Sequence, residues 1–275
     1  MSFLRPALLL AFALGACSNP PYPRGGIETL YPQPPRPELS DLSVAGRTLH
    51  FAQMHGTGRT PLLMVHGSPG DWQAWSHYLT APELAHYNPR IAVDRPGFGG
   101  SGAGQVMPDL RAQARLLAAL IPDGAQAVVV GHSLGGPLAG WLLLDHPDKF
   151  CGGVMVAGSI APQLEAPRWY NLAAQTWVAH WIAPDELLWS NTEILALQGE
   201  LKKLDAEWAR LQRPVIVVQG EQDELVDPRT ADYAEQRLPA PMREIRRISA
   251  QGHFLLWDQP QTVIDAIRSL PCGKP

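Results

Sequence analysis

Ser133 stands at the centre of Gly131-His132-Ser133-Leu134-Gly135, and this pentapeptide follows the apolar run Ala127-Val128-Val129-Val130 without a break. A serine on a tight turn between a strand and a helix presents its hydroxyl on a strained backbone, the setting of a nucleophile elbow. Side chains two residues before and two after it would collide with the adjoining strand and helix, and glycine at 131 and 135 removes that collision. Gly136 extends the small-residue surface, and Pro137 to Leu144 supply a helix whose N-terminus faces developing negative charge. The chemistry so predicted is attack by an activated hydroxyl, which also needs a general base, an acid to orient that base, and donors for an oxyanion.

The elements that would position such a serine alternate between strand and helix along the chain, which points to a mainly parallel sheet with helices on its faces. Candidate strands are Thr48 to Met54, Leu62 to Val65, Ile91 to Val93, Ala127 to Val130, Gly153 to Val156, Val215 to Val218 and Glu244 to Ile248. Several are continuous Val/Ile/Leu runs, as strands covered on both faces should be. Pro108 to Leu120 and Gln261 to Leu270 carry helical periodicity. At 275 residues the chain is long enough for one large core with an insertion. A net charge of −4 without any Lys/Arg cluster excludes nucleic acid as a partner. No Cys/His spacing fits a metal, and nothing in the chemistry calls for a cofactor.

Four further segments surround the elbow. His66-Gly67-Ser68-Pro69-Gly70 follows a strand, and Asp94-Arg95-Pro96-Gly97-Phe98-Gly99-Gly100-Ser101 follows another. Gly220-Glu221-Gln222-Asp223 comes after Pro214 to Gln219, and Gln251-Gly252-His253-Phe254 lies between the last strand and the final helix. With these motifs the chain resembles the α/β-hydrolase family from about residue 45 to 270. The resemblance implies an α/β fold with a mostly parallel central sheet flanked by helices, and a small helical cap, residues 159–213, inserted after the sixth strand. It implies a catalytic triad of Ser133, Asp223 and His253, in that chain order, with backbone N–H groups of Ser68 and Leu134 forming the oxyanion hole. His66 is expected to support its loop through a hydrogen bond, and Asp94 to satisfy nearby backbone donors. Glu221 and Glu224 are expected in solvent, and Asp227, before Pro228, as a helix N-cap. His132 and the other histidines have no such company in the sequence.

Residues 1–16 read as a signal peptide: Arg5 precedes an apolar stretch, Pro6 to Leu14, too short to span a bilayer. Leu14-Gly15-Ala16-Cys17 resembles the lipobox of bacterial lipoproteins, which implies acylation of Cys17 and membrane anchoring. Ser18, where an aspartate would signal otherwise, points to the outer membrane, with the enzyme facing the periplasm. Residues 17–38, with seven prolines between Pro20 and Pro37, read as an extended tether, and the hydrolase domain as 39–275. Cys151 and Cys272 remain, either as free thiols or as a disulfide. Within the cap, Trp169, Trp177, Trp181, Trp189 and Trp208 are candidates for an apolar wall over the site, and Gln198 to Arg210 for a helix docked on the core.

The leading functional expectation is a lipoprotein carboxylesterase acting on small or medium apolar esters. Hydrolysis of carbon–carbon bonds or perhydrolase chemistry on the same triad is the alternative, and a non-catalytic binding protein on this fold is the third reading. Serine at the elbow argues against epoxide hydrolase or dehalogenase chemistry, which needs a carboxylate there.

Overall fold

The computed structural model describes residues 22–176, 181 and 183–272. The lipobox, Cys17 and Trp177 lie outside them. Eight strands form one sheet: β1 Glu38–Val44, β2 Arg47–Met54, β3 Thr60–Val65, β4 Tyr87–Val93, β5 Ala127–His132, β6 Phe150–Val156, β7 Val215–Gly220 and β8 Arg243–Ile248. Their order is β1-β2-β4-β3-β5-β6-β7-β8, with β2 antiparallel to both neighbours and every pairing from β4 to β8 parallel.

Successive residues of the central strands point to opposite faces, and each face has its own core. Leu63, Val65, Val129, Met155 and Val217 face the layer of α3 (Leu110–Leu117), α4 (Gly135–Asp145) and α6 (Asp185–Asp205). Leu62, Met64, Val128, Val130, Val156 and Val218 face Trp75, Tyr78 and α9 (Pro260–Ser269). The short helices α1 (Ile27–Leu30), α2 (Ser76–Thr80), α5 (Trp169–Ala173), α7 (Thr230–Arg237) and α8 (Leu255–Asp258) complete the described elements used below.

All seven expected strands are present. The eighth, β1, escapes a hydrophobic reading because it lies at the edge, with no fully buried residue in Glu-Leu-Ser-Asp-Leu-Ser-Val. At the opposite edge, β8 carries Arg243, Glu244, Arg246 and Arg247, which discourage pairing with another chain.

The proline-rich segment departs from the expected tether over its described part. Tyr22 and Tyr31 are buried, and Tyr22 stacks on Trp257 with ring centroids 5.3 Å apart. The Tyr31 hydroxyl donates to the Ser76 carbonyl at 2.7 Å, and the Gly25 N–H donates to Gln73 at 3.0 Å. Arg24 lies 3.8 Å from Asp71 and 3.7 Å from Glu186 of α6. Proline content averaged over the segment conceals these few anchoring rings, which bind residues 22–37 to the body as a strap.

Between β6 and β7 the described residues include α5, α6 and a 3₁₀ turn at Trp208–Arg210. The docked helix expected over Gln198 to Arg210 is instead the C-terminal half of the 21-residue α6, which ends at Asp205. Ser190, Glu193, Leu197, Leu201 and Leu204 recur at helical spacing and are all buried, polar toward the N-terminus and apolar toward the C-terminus. Cys151 at the start of β6 and Cys272 after α9 form a disulfide, with Cα atoms 5.8 Å apart.

Candidate active site

The turn from β5 into α4 carries Ser133 at φ 53°, a left-handed conformation that costs a non-glycine residue on the order of 1–3 kcal/mol. Neighbouring elements hold it there. The Ser133 N–H donates to the Val156 carbonyl at 3.0 Å, and the Ser133 carbonyl accepts from Gly136 at 2.9 Å and Ser159 at 3.2 Å. The collisions predicted for residues 131 and 135 are real: a Cβ on Gly131 would lie 1.9 Å from the Gly135 oxygen, and one on Gly135 would lie 2.3 Å from the Val65 oxygen.

Asp223 lies buried on the loop after β7, where its Oδ2 accepts from Nδ1 of His253 at 2.9 Å. Oδ1 accepts from the N–H groups of Leu225 (2.9 Å) and Val226 (2.8 Å), and Gln219 Nε2 donates to Oδ2 at 3.2 Å. A carboxylate so surrounded has a fixed orientation. With Nδ1–H committed to the carboxylate, Nε2 of neutral His253 keeps its lone pair for a proton. The two loops are joined along their backbones: Gln222 N–H donates to the Gln251 carbonyl at 2.8 Å, and Glu221 N–H to that of Ile248 at 3.1 Å.

His253 also sits against the elbow. Its carbonyl accepts from Nε2 of His132 at 3.1 Å, and the two rings are 4.8 Å apart. Burial, reinforced by the neighbouring His253, lowers the pKa of His132 to about 3, so the elbow histidine is neutral. His132 therefore does have the company that the sequence did not reveal, because its partner lies 121 residues away.

The loop after β3 approaches from the other side. A Cβ on Gly67 would lie 2.9 Å from that of Ser133, so the Gly67–Ser68 peptide runs directly beside the elbow. His66 supports the loop as expected: Nδ1–H donates to the Gly67 carbonyl at 2.7 Å, and Nε2 accepts from the Arg95 N–H at 2.9 Å. Burial, with Arg95 nearby, holds the His66 pKa well below its ordinary value. Among the described residues, neither the Ser68 nor the Leu134 N–H has a hydrogen-bond acceptor. Leu134 immediately precedes the first residue of α4, at its positive dipole end.

Behind this loop lies a cluster absent from the sequence-based expectation. Arg95 and Glu193 form a bidentate ion pair, Nη1–Oε1 and Nη2–Oε2 both 2.8 Å, with both side chains fully buried. Gln113 bonds both partners, accepting from Arg95 at 3.1 Å and donating to Glu193 at 2.8 Å. Arg95 Nη2 also donates to the Gly67 carbonyl at 3.0 Å, and Ser68 Oγ donates to Glu193 Oε2 at 2.8 Å. An acid in mid-helix gives no local signal of such a role, and its partners stand 80 to 125 residues away.

Other expectations divide. Asp94 accepts from the N–H groups of Trp72 (2.6 Å) and Gly100 (2.7 Å), as expected, and burial raises its pKa to about 6. Glu221 and Glu224 are exposed. Asp227 does not N-cap α7, which starts at Thr230; its carboxylate accepts instead from the Arg229 N–H at 2.9 Å and pairs with that guanidinium. Arg229 occupies the cap, and Pro228 lies two residues before the first helical residue. Among the described residues the tryptophan wall is not formed as expected. Trp208 is buried in the core with Nε1 donating to Tyr233, while Trp169 and Trp181 are exposed. Trp189 packs beside Gly104. Trp257 lies edge-on to His132, with ring centroids 5.0 Å apart.

Comparison with known proteins agrees with this architecture. The model of the alpha/beta hydrolase family matches residues 62–266. Pimeloyl-[acyl-carrier protein] methyl ester esterase of Aeromonas hydrophila is 28% identical over 245 residues, covering 75% of this chain and 93% of the relative. Epoxide hydrolase B of Mycobacterium tuberculosis is 35% identical over 98 residues, 34% of this chain and 27% of that protein. The chain spans under a third of the length of several such curated relatives. The solved structure of an N-acyl homoserine lactone degrading enzyme superposes with a TM-score of 0.63 at 20% identity, covering 83% of this chain and 99% of the other. A family model that spans most of the chain, on an eight-stranded sheet with a serine elbow after β5, places this protein in the alpha/beta hydrolase family.

Proposed function

We propose that the protein is an exported, lipid-anchored serine hydrolase that cleaves small or medium apolar carboxylic esters. The observation that carries this reading is the buried Asp223–His253 pair packed against an elbow that holds Ser133 at positive φ. In the proposed cycle Ser133 Oγ attacks the ester carbonyl carbon as Nε2 of His253 takes its proton, and Asp223 stabilises the imidazolium. The Ser68 and Leu134 N–H groups, which lack other acceptors among the described residues, receive the oxyanion. The tetrahedral adduct expels the alcohol, protonated by His253, and leaves an acyl-enzyme. Water, deprotonated by the same imidazole, then releases the acid.

The methyl ester esterase supports an ester substrate through its match over nearly its whole length. The epoxide hydrolase is a weaker guide, because a serine elbow does not supply the carboxylate of an alkyl-ester intermediate. The Cys151–Cys272 disulfide supports an oxidising compartment. Among the described residues no helix is long and apolar enough to cross a membrane, so the proposed anchorage rests on acylation of Cys17.

The test is a chromogenic ester panel of graded acyl length, run on a chain beginning at Ser18 so that the strap is kept. Turnover is expected on short and medium acyl chains and is expected to fall on the order of 10⁶-fold in Ser133→Ala. A fluorophosphonate should label the wild type and not the variant; no turnover and no labelling would defeat the proposal. Palmitate incorporation into the full chain, abolished by Cys17→Ser, tests the anchor separately.

A further inference from the structure

We propose that Glu193, on the cap helix α6, is a positioning residue for the oxyanion hole: through Arg95 it holds the Gly67–Ser68 peptide with the Ser68 N–H aimed at the carbonyl under attack. This inference rests on the serine-hydrolase reading given above.

One peptide plane is decisive. The Gly67–Ser68 bond is trans, so its C=O and N–H point in opposite directions, and whatever fixes the oxygen also aims the hydrogen. Two donors fix the oxygen: Nδ1–H of His66 at 2.7 Å and Nη2–H of Arg95 at 3.0 Å. The His66 contact is local to the loop. The Arg95 contact depends on where a long, mobile side chain is held, and its holder is Glu193. Both guanidinium Nη atoms face the two carboxylate oxygens at 2.8 Å, Gln113 bridges the pair, and Phe98 lies under the guanidinium at 4.8 Å. The same Oε2 that pairs with Arg95 accepts from Ser68 Oγ, so one carboxylate restrains the Ser68 side chain directly and the preceding carbonyl through the guanidinium. A cation on the carbonyl also polarises the peptide and strengthens its N–H as a donor.

A cap staple alone would need only the Arg95–Glu193 bond. Here both partners continue to the Gly67–Ser68 segment, Arg95 to the Gly67 carbonyl and Glu193 to the Ser68 hydroxyl, and the Ser68 N–H is one of the two proposed to meet the oxyanion. The cap thereby becomes part of the catalytic scaffold rather than only a cover, and its seating sets the strength of the hole.

The test uses the double variant Arg95→Met/Glu193→Leu, because apolar replacement of a complete buried ion pair is often tolerated, whereas removal of one partner leaves a buried charge. Loss of a donor outright costs about 10²–10³ in rate, and a retained but poorly aimed donor should cost about 10-fold to 100-fold in kcat with KM little changed. A trifluoromethyl ketone of matched acyl length, whose hemiketal places an oxyanion in the hole, should lose affinity by the same factor as kcat/KM. The carboxylic acid product should bind as before. If the double variant does not fold, Glu193→Asp keeps the charge, draws the guanidinium toward the cap by one methylene and should weaken the same inhibitor. A folded variant that keeps wild-type kcat and inhibitor affinity while melting at a lower temperature would reduce the pair to a staple and overturn the inference alone. A wild type that a fluorophosphonate does not label would remove the underlying reading and this inference with it.

Discussion

At the scale of single residues, charge is managed by burial. His132 and His66 are neutral imidazoles whose protonation burial opposes, His132 down to about pH 3. Once unfolded, each would take a proton near the ordinary histidine value of about 6.5. As the pH falls below about 6.5 the unfolded chain therefore gains protons that the folded one refuses, at His132 down to about pH 3. Stability is expected to drop by up to about 1.4 kcal/mol per pH unit for each group. Asp94 opposes this in part, since its folded carboxyl protonates near 6 and its unfolded one near 3.8. The carboxyls of Asp71 and Glu165, which burial also raises, act in the same direction, whereas burial lowers His86 and His146 and adds to the loss. Urea unfolding at pH 7 and pH 5 should show the loss, and His132→Asn should flatten it; an equal slope in the variant would refute the assignment. Asp223→Asn leaves the hydrogen-bonded geometry nearly intact yet imposes the wrong imidazole tautomer, so kcat is expected to fall about 10⁴-fold. These roles were unevenly legible. Ser133, Asp223 and His253 each stand in a short motif, whereas Glu193 and His132 acquire meaning only from partners 98 and 121 residues distant.

At the scale of elements, glycine shows why position decides a substitution's sign. Gly131→Ala would drive a methyl group into the Gly135 carbonyl at the elbow, with backbone on both sides and no flexible side chain to yield. We expect a loss of about 1–3 kcal/mol, accompanied by reduced activity because the nucleophile must shift. Gly199 lies exposed in α6, and a Cβ there would meet nothing within 4 Å, so Gly199→Ala should stabilise by about 0.5–1 kcal/mol through helix propensity and leave turnover unchanged. Thermal melts and ester assays of both variants check the pair; matching signs would contradict this reading. The central strands were readable because Val/Ile runs covered on two faces leave little ambiguity. Edge strand β1 and the polar half of α6 were not, because neither buries an apolar row: β1 has no buried residue, and the N-terminal half of α6 buries Ser190, Asn191 and Glu193 by pairing them.

At the scale of the whole molecule, two restraints act on the chain ends. The Cys151–Cys272 bond closes a loop of sequence separation 121 and ties the last described residue to the central sheet. Its removal in Cys272→Ser is expected to cost about 2–4 kcal/mol, chiefly by freeing the unfolded ensemble. Denaturation with and without dithiothreitol should reproduce that loss in the wild type and leave the variant indifferent to reductant; a reductant-insensitive wild type would exclude the bond in solution. The strap restrains the other end. Tyr22 stacks on Trp257, which lies edge-on to His132, so the chain enters the described body two rings from the acid–base pair. If Cys17 carries acyl chains, five residues can reach no more than about 18 Å from the lipid to that point. The leash is then too short for the catalytic mouth to roam, and an ester dissolved in the bilayer would be met at its own surface, by a two-dimensional search rather than by capture from bulk water.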